Sequence, residues 1–163
     1  IAWLAVQRPQ WSFLLVGHAA TDVSALRALP NVHLVGTQPY ATLPAWAKSF
    51  DAAIIPYRLN RQVANANPLK LREYLATGKP IVSVRNPEIE KFSGLISIAD
   101  DHASFLAALD DTLANDTSDA TARRMAAVAG QTWDARVASI LDTVANVLAN
   151  RAVESKPLSI PIE

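Results

Sequence analysis

The apolar residues of this chain fall into five short runs, which are separated by amphipathic stretches. The runs predict strands at Trp11 to Val16, Val32 to Val35, Ala52 to Ile55, Ile81 to Val84 and Gly94 to Ile98. The runs are continuously apolar rather than alternating. This is typical of strands in a parallel sheet that helices cover on both faces.

Between and after these runs, apolar positions recur at the spacing of an α-helix. The predicted helices cover Ile1 to Arg8, Thr21 to Leu29, Leu43 to Phe50, Pro68 to Thr77, Pro87 to Phe92, Asp101 to Ala114, Asp119 to Ala129 and Thr132 to Asn150. Strand and helix alternate five times, so the sequence predicts an α/β domain. Its expected core is a Rossmann-like, doubly wound parallel sheet with extra C-terminal helices, and ligands of such sheets bind at the carboxyl ends of the strands.

Composition narrows the classes of function. The chain has 163 residues, 50% of them hydrophobic, a mean hydropathy of +0.13, and 15 basic and 15 acidic residues. These values fit one globular domain and give no basic excess for binding nucleic acid. The lack of cysteine excludes disulfides and thiolate metal sites, and His18, His33 and His102 are too widely spaced to predict a metal cluster. No apolar run approaches the roughly 20 residues of a membrane span.

Residues 67–82 combine a helix that has clear start and stop signals with the fourth predicted strand. Asn67 is a good N-cap, and Pro68 suits the first helical position. Gly78 and Pro80 are typical of a helix end. We therefore expect the helix to begin directly after a polar loop that runs from Tyr57 to Ala66.

The charges on this helix are unusual. Lys70 and Arg72 stand near its start, where the helix dipole disfavours a positive charge by about 0.3–1 kcal/mol. A base beside exposed helix N–H groups makes sense if an anion binds there. Glu73 follows Lys70 by three residues, so both side chains occupy one face of the helix. A cation, free N–H groups and a carboxylate together indicate a nucleotide or nucleotide-sugar site.

The segment reads NPLKLREYLATGKPIV in one-letter code. It resembles the donor-binding signature NPxKxxEYLAxGKPVV of glycosyltransferases with the GT-B fold, close to the GT4 group (glycosyl transferases group 1). Upstream, residues 32–36 with Pro39-Tyr40 and Leu43-Pro44 resemble the family's VxFxGxxPYxxLP stretch, and the strand at residues 51–56 ends in proline as it does in the family. The resemblance covers about residues 8–100 and is weaker towards the C-terminus.

This resemblance implies that residues 1–150 form the C-terminal, donor-binding domain of a GT-B glycosyltransferase, followed by an extended tail at residues 151–163. The chain opens at Ile1 within a helical pattern, so we expect an N-terminal acceptor domain to be absent from it. The family implies transfer of a sugar from a nucleotide diphosphate sugar to an acceptor hydroxyl, with retention of configuration and without a metal or cofactor. The fragment alone is expected to be inactive. The expected location is cytoplasmic, and peripheral association with the inner face of a membrane through the missing half stays open.

The resemblance assigns Glu73 to the ribose hydroxyls of the donor, and Lys70 and Asn65 are the candidate catalytic residues. Lys70 is expected to neutralise the donor diphosphate. The remaining candidate donor-binding residues are Ala66, Asn67, Pro68, Leu69, Gly17, Gly36, Thr37 and Arg58. Alternative interpretations are an ion pair of Glu73 with Lys70 or Arg72, a capping turn before the helix, tight turns at the glycines and a solvated Arg58.

Asn65 departs from the family pattern. Many members carry a second glutamate eight positions before the one that matches Glu73, and this glutamate contacts the donor sugar. An amide can hydrogen-bond a hydroxyl but cannot stabilise developing positive charge. Because of this departure, the chain could instead be a non-catalytic nucleotide-binding or interaction module. A GT-B-type sugar-nucleotide epimerase is a further alternative. An unrelated Rossmann-like domain is disfavoured, because no G-x-G-x-x-G follows any predicted strand.

Overall fold

The computed structural model describes residues 1–154, with side chains up to residue 150. In this part of the chain, five short strands form two sheets. The strands are β1 (Phe13–Val16), β2 (Val32–Gly36), β3 (Ala53–Ile55), β4 (Ile81–Val84) and β5 (Ser97–Ala99). One sheet pairs β1 with β2 and the other has the order β3-β4-β5, and every pairing is parallel. The prediction of a parallel α/β fold is confirmed.

Helices connect the strands and follow the last one. Within the described residues they are α1 (Ala2–Gln7), α2 (Ser24–Arg27), α3 (Leu43–Ser49), α4 (Arg61–Ala64), α5 (Leu69–Thr77), α6 (Pro87–Glu90), α7 (His102–Asn115), α8 (Ser118–Ala126) and α9 (Trp133–Glu154), and a 3-10 turn (Tyr40–Thr42) precedes α3. Both sheets belong to one compact unit, residues 1–127. A second unit begins at residue 128 and contains α9.

The structure corrects three expectations about the ends of elements. Pro68, not Asn67, is the N-cap of α5, and the Asn67 side chain instead accepts a hydrogen bond of 2.5 Å from Arg72. Part of the expected polar loop forms α4, because the Asn60 side chain caps this short helix by accepting from the backbone N–H of Val63. Finally, α9 continues past the predicted end into the expected tail. Residues 155–163 of that tail lie outside the described part of the chain.

Helix α5 is held by one buried face. Leu71 and Leu75, four residues apart, are both fully buried. Burying two leucine side chains contributes about 3–6 kcal/mol before the entropy cost of ordering them. Tyr74 is half-buried and packs edge-on against Phe50 at the end of α3, with the ring centroids 5.7 Å apart.

The C-terminal end of α5 is fixed by a glycine and a buried cation. Gly78 caps the helix in the left-handed conformation, at φ 74°, as its sequence position predicts. Arg124 of α8 donates from Nε to the Gly78 carbonyl oxygen over 2.8 Å. Its Nη2 lies 2.6 Å from a carboxylate oxygen of Asp116, and only 6% of the Arg124 side chain is exposed. Any side chain at position 78 would clash with α8, because a Cβ placed on Gly78 would lie 2.7 Å from Cγ2 of Thr121.

Helix α1 is tied to the start of β2 and to α7. The Asn31 side chain donates to the carbonyl oxygens of Ala5, Arg8 and Trp11 over 3.0, 3.2 and 3.0 Å. Arg8 also donates from Nε to Asp110 of α7 over 2.9 Å. The bonds from Asn31 to Ala5 and Arg8 satisfy carbonyl groups that the end of α1 leaves without intrahelical partners.

One hydrophobic core spans both sheets. Leu4 and Ala5 of α1 belong to the same buried cluster as strand residues from each sheet. The buried strand members of the cluster are Phe13, Val32, Val82 and Ala99. Helix α1 therefore covers a region that the two sheets share.

Replacing Arg124 with leucine is expected to lower the free energy of unfolding by about 2–4 kcal/mol, because Asp116 and the Gly78 carbonyl would lose a buried charged donor. The measurement is equilibrium unfolding in urea. The matched control is Arg123→Leu. Arg123 is exposed, lies 4.0 Å from Asp119 and donates to the carbonyl oxygen of Gly94 over 2.9 Å, and such exposed contacts contribute about 1 kcal/mol. Equal losses in the two variants would contradict the structural role of Arg124.

Candidate functional site

A cleft of about 460 Å³ lies at the carboxyl edge of the β3-β4-β5 sheet. Its walls come from the segments that follow these strands and from the first turn of α1. The lining residues are Ile1, Trp3, Leu4, Pro56, Tyr57, Arg58, Leu59, Val84, Asp100, Asp101, His102 and Phe105. The cleft is therefore at the edge where parallel α/β sheets bind their ligands, as the sequence predicts.

An aromatic pair forms one wall of the cleft. The rings of Trp3 and His102 are stacked, with centroids 5.3 Å apart and an angle of 24° between the planes. Neither Trp3 nor His102 is among the binding residues that the sequence predicts. The two residues lie 99 positions apart in the chain (102 − 3), so no local pattern could connect them.

The two acidic residues of the cleft already have structural partners. Asp100 accepts from Nε of Arg85 over 2.7 Å, and this bond holds the pKa of Asp100 below its usual range. Asp101 is the N-cap of α7 and accepts from the backbone N–H of Ser104 over 2.7 Å. That bond is the main cause that lowers the pKa of Asp101. Both groups are therefore carboxylates at neutral pH and orient the chain around the cleft.

Tyr57 links the cleft to helix α5. Its ring lies against Nζ of Lys70, 5.3 Å from the ammonium nitrogen to the ring centroid, which is a cation–π contact. Burial raises the pKa of the neighbouring Tyr74, with smaller contributions from Glu73 and Tyr57. The structure thus brings Lys70 to the side of the cleft. Tyr57 is a site residue that sequence reasoning missed, although it directly follows the proline that ends β3.

Glu73 is exposed on α5, on the face opposite Leu71 and Leu75. Among the side chains described, up to residue 150, no hydrogen bond or ion pair is made to its carboxylate, and no carboxylate lies within ion-pair distance of Lys70. The alternative interpretation, in which Glu73 pairs with Lys70 or Arg72, is therefore not supported. Both groups remain accessible to a ligand.

The loop before α5 has a defined structure. Asn65 ends α4, and its side chain donates to the carbonyl oxygen of Arg61 over 2.8 Å. The amide of Asn65 is thus engaged within its own helix. Of the candidates in this loop and the turn that follows, Arg58 is the one that lines the cleft, whereas Asn65, Ala66, Asn67, Pro68 and Leu69 do not.

Asn86, which follows the carboxyl end of β4, holds this loop in position. Its side chain is buried, with 2% of the residue exposed, and donates to the carbonyl oxygen of Val63 in α4. The same side chain accepts from the backbone N–H groups of Glu88 and Ile89 over 2.8 and 3.3 Å, which caps α6. The position of the loop therefore depends on one buried amide. An N-cap asparagine is recognisable in the sequence, but its contact with Val63 is not.

Gly17 and Gly36 meet at the carboxyl edge of the β1-β2 sheet. The N–H of Gly17 donates to the carbonyl oxygen of Gly36 over 2.9 Å, and both residues have positive φ, 139° and 77°. Apart from each glycine and its two neighbours in sequence, no atom of the described residues lies within 4 Å of a Cβ built on either glycine. Both backbones are therefore open to solvent. The structure brings these two candidates and the adjacent Thr37 together but places none of them in the cleft.

A second cavity of about 330 Å³ lies at the opposite edge of the sheet, around Asp51, Gly78 and Lys79. Asp51 precedes β3 there, at the edge away from the cleft. In residues 1–154 no three His, Asp or Glu side chains are grouped as metal ligands would be. None of the described helices is both long and apolar enough to cross a membrane. Metal independence stays a prediction.

Comparison with known proteins supports the interpretation of the motif. The chain is 41% identical over 91 residues to a Bacillus subtilis (strain 168) protein that carries the provisional name teichuronic acid biosynthesis glycosyltransferase TuaH. The matched segment is 53% of this chain and 23% of that protein, so the chain covers less than a quarter of the relative's length. The profile of the family glycosyl transferases group 1 matches residues 2–115, which include both sheets, the whole of α5 and every residue that lines the cleft except Ile1. The chain therefore belongs to the glycosyl transferases group 1 family.

Proposed function

We propose that this chain is the donor-binding domain of a glycosyltransferase that moves a sugar from a nucleotide diphosphate sugar to an acceptor hydroxyl. The observation that carries the proposal is the pair Lys70 and Glu73, exposed on one face of α5 beside the cleft. An ammonium and a carboxylate that do not neutralise each other are suited to a ligand with both a phosphate and sugar hydroxyls.

Lys70 would offset the negative charge of the diphosphate. The face of Tyr57 holds the ammonium group without removing its charge, since the contact is a cation–π interaction. As the sugar–phosphate bond breaks, negative charge grows on the departing diphosphate, and a cation already in place lowers the barrier. Arg58, in the wall of the same cleft, is suited to a second phosphate contact.

Glu73 would accept hydrogen bonds from the ribose hydroxyls. Its carboxylate is exposed, so it keeps both oxygens available, and the buried leucines of α5 fix the side of the helix from which it projects. The open backbone at Gly17 and Gly36 would let the nucleoside approach closely, with Thr37 beside it. In this arrangement the protein supplies the charge stabilisation, so the proposed reaction is metal-independent, and we infer retention of configuration.

The proposal extends to the acceptor of the sugar and to the location of the enzyme. The name of the Bacillus subtilis relative refers to teichuronic acid biosynthesis, and we propose a growing polysaccharide as the acceptor class. An acceptor domain outside these 163 residues would bind it. We propose a cytoplasmic enzyme that meets the membrane through that other domain.

The second candidate function is a non-catalytic nucleotide-binding module. The observation that favours it is the side chain of Asn65, which donates to its own helix and is not directed into the cleft. A module of this kind would bind the nucleotide through Lys70 and Glu73 without turnover. Sugar transfer by the full-length protein would exclude it, and tight binding of a sugar nucleotide without transfer would favour it over the enzyme.

Glu73→Gln in the full-length protein is expected to weaken the binding of the cognate nucleoside diphosphate by about tenfold or more, because a neutral amide replaces a charged acceptor. Calorimetric titration with UDP, GDP, ADP and dTDP measures the loss and identifies the base. Asp111→Asn is the matched control, since Asp111 is an exposed helical acid of α7 that is not part of the cleft. Unchanged affinity in Glu73→Gln would contradict the role of this residue.

Lys70→Gln is expected to lower the affinity for the nucleoside diphosphate by about tenfold, because Lys70 is assigned to the phosphates. The affinity for the corresponding nucleoside should stay nearly unchanged. Glu73→Gln should instead lower the affinity for both ligands, since both contain the ribose. Paired titrations of nucleoside and nucleoside diphosphate separate the two roles. Lys48→Gln, an exposed lysine in the last turn of α3, is the control. Equal losses for both ligands in Lys70→Gln would show that the assignment is wrong.

Asn86→Asp keeps the acceptor that caps α6 but loses the donor to Val63, so it is expected to release the loop before α5. Hydrogen exchange of the amides of Asn65 and Ala66 should become about tenfold faster or more, while that of Ile89 stays slow. Affinity for the nucleoside diphosphate should fall in parallel, since the loop carries Arg58. Faster exchange at Ile89 as well would indicate loss of the α6 cap instead.

A further inference from the structure

The segment that leads from the cleft into α5 carries a local excess of positive charge. Between Asp51 and Glu73 the sequence has four basic residues and no acidic one, although the whole chain has 15 of each kind. The four basic residues are Arg58, Arg61, Lys70 and Arg72. They lie in the loop after β3, in α4 and in the first half of α5. The excess is therefore concentrated beside the proposed donor site.

Two of these cations have contacts within the domain. The Lys70 ammonium lies against the ring of Tyr57, and the proposed function assigns it to the diphosphate. Arg72 donates to the side chain of Asn67, and its Cζ lies 5.7 Å from the ring centroid of Phe92. These contacts hold both side chains of α5 in place.

Arg58 and Arg61 differ from them. Both side chains are exposed, and among the side chains described, up to residue 150, neither makes a hydrogen bond or an ion pair. Arg58 lines the cleft. Arg61 follows the cleft residue Leu59 by two positions, so the two Cα atoms are at most about 7 Å apart. Two guanidinium groups are therefore available to an anion at the cleft.

The neighbouring acidic residues have other partners. They lie on α6, which is hydrogen-bonded to α4, and in the wall of the cleft, and they are Glu88, Glu90, Asp100 and Asp101. Glu88 accepts from Nζ of Lys91 over 2.5 Å. Arg85 donates to Glu90 and to Asp100 over 2.6 and 2.7 Å. Asp101 accepts from the backbone of α7, which it caps. None of these bonds involves the two arginines, so their charge is left for a ligand.

The donor uses only part of this charge. In the proposed function Lys70 and Arg58 contact the diphosphate, which leaves Arg61 beside the cleft. We infer that the acceptor glycan carries a negatively charged group and that Arg61 binds this group. The inference rests on the proposed function, because the acceptor must approach the donor at this edge of the sheet. A guanidinium binds either a carboxylate or a phosphate through two parallel hydrogen bonds, so both kinds of acidic glycan fit.

The test is calorimetric titration of the full-length protein at low ionic strength, where exposed charges are least screened. The donor site is first saturated with the nucleoside diphosphate that binds best, so that a second anion cannot occupy it. The probes are hexagalacturonic acid, which carries carboxylates, inorganic tripolyphosphate, and neutral maltohexaose. At least one anionic probe should bind, and maltohexaose should not. The anion that binds more tightly distinguishes a carboxylate from a phosphate on the acceptor.

Arg61→Gln is expected to lower the affinity for the anionic probe by about tenfold, because a neutral amide replaces a charged donor. Its affinity for the nucleoside diphosphate should stay unchanged, which also shows that the variant is folded. The matched control is Arg27→Gln, since Arg27 is an exposed arginine in the last turn of α2 that does not line the cleft. This control should bind the probe like the unaltered protein.

Three results would overturn the inference. They are no binding of either anion, equal binding of maltohexaose, and unchanged affinity for the anion in Arg61→Gln. Each of them can occur while the nucleoside diphosphate still binds. Failure of the proposed function appears earlier, as the absence of nucleoside diphosphate binding, so the two failures are distinguishable.

Discussion

The burial of one face of α5 is the constraint on which the rest of the site depends. Leu71 and Leu75 are fully buried, and their position fixes the rotation of the helix about its axis. Lys70 and Glu73 are then exposed on another side of the helix, where Lys70 contacts the ring of Tyr57. Because the two leucines set this rotation, neither charged group needs an ion pair within the described residues to hold the helix in place.

Both ends of α5 are secured by polar contacts with distant parts of the chain. At the C-terminal end, Gly78 takes a left-handed conformation and Arg124 binds its carbonyl group. At the N-terminal end, Asn86 holds the preceding loop through Val63. These side chains are buried, so their hydrogen bonds are costly to lose, and the exposed charged residues of the site contribute little to holding the helix in place.

Membership of the glycosyl transferases group 1 family agrees with this arrangement. The cleft and the Lys70 cation beside Tyr57 lie at one edge of the β3-β4-β5 sheet, and Glu73 is exposed three residues further along α5. Gly17 and Gly36 lie at the edge of the other sheet. The two groups belong to one compact unit but to separate sheets.

The sequence by itself determined the features that arise from neighbouring residues. Apolar runs placed strands β1 to β4, whereas the fifth run, predicted at Gly94 to Ile98, overlaps β5 only at Ser97 and Ile98 because the residues before them form a turn. The position of Gly78 placed the end of α5, and the spacing of Lys70 and Glu73 placed them on one face. Tertiary structure decided the features that join distant residues. Trp3 stacks on His102 in one wall of the cleft, Asn86 donates to the carbonyl oxygen of Val63, and the strands divide into the sheets β1-β2 and β3-β4-β5. Periodicity and capping act over a few residues and leave a local pattern, whereas packing between distant elements leaves none.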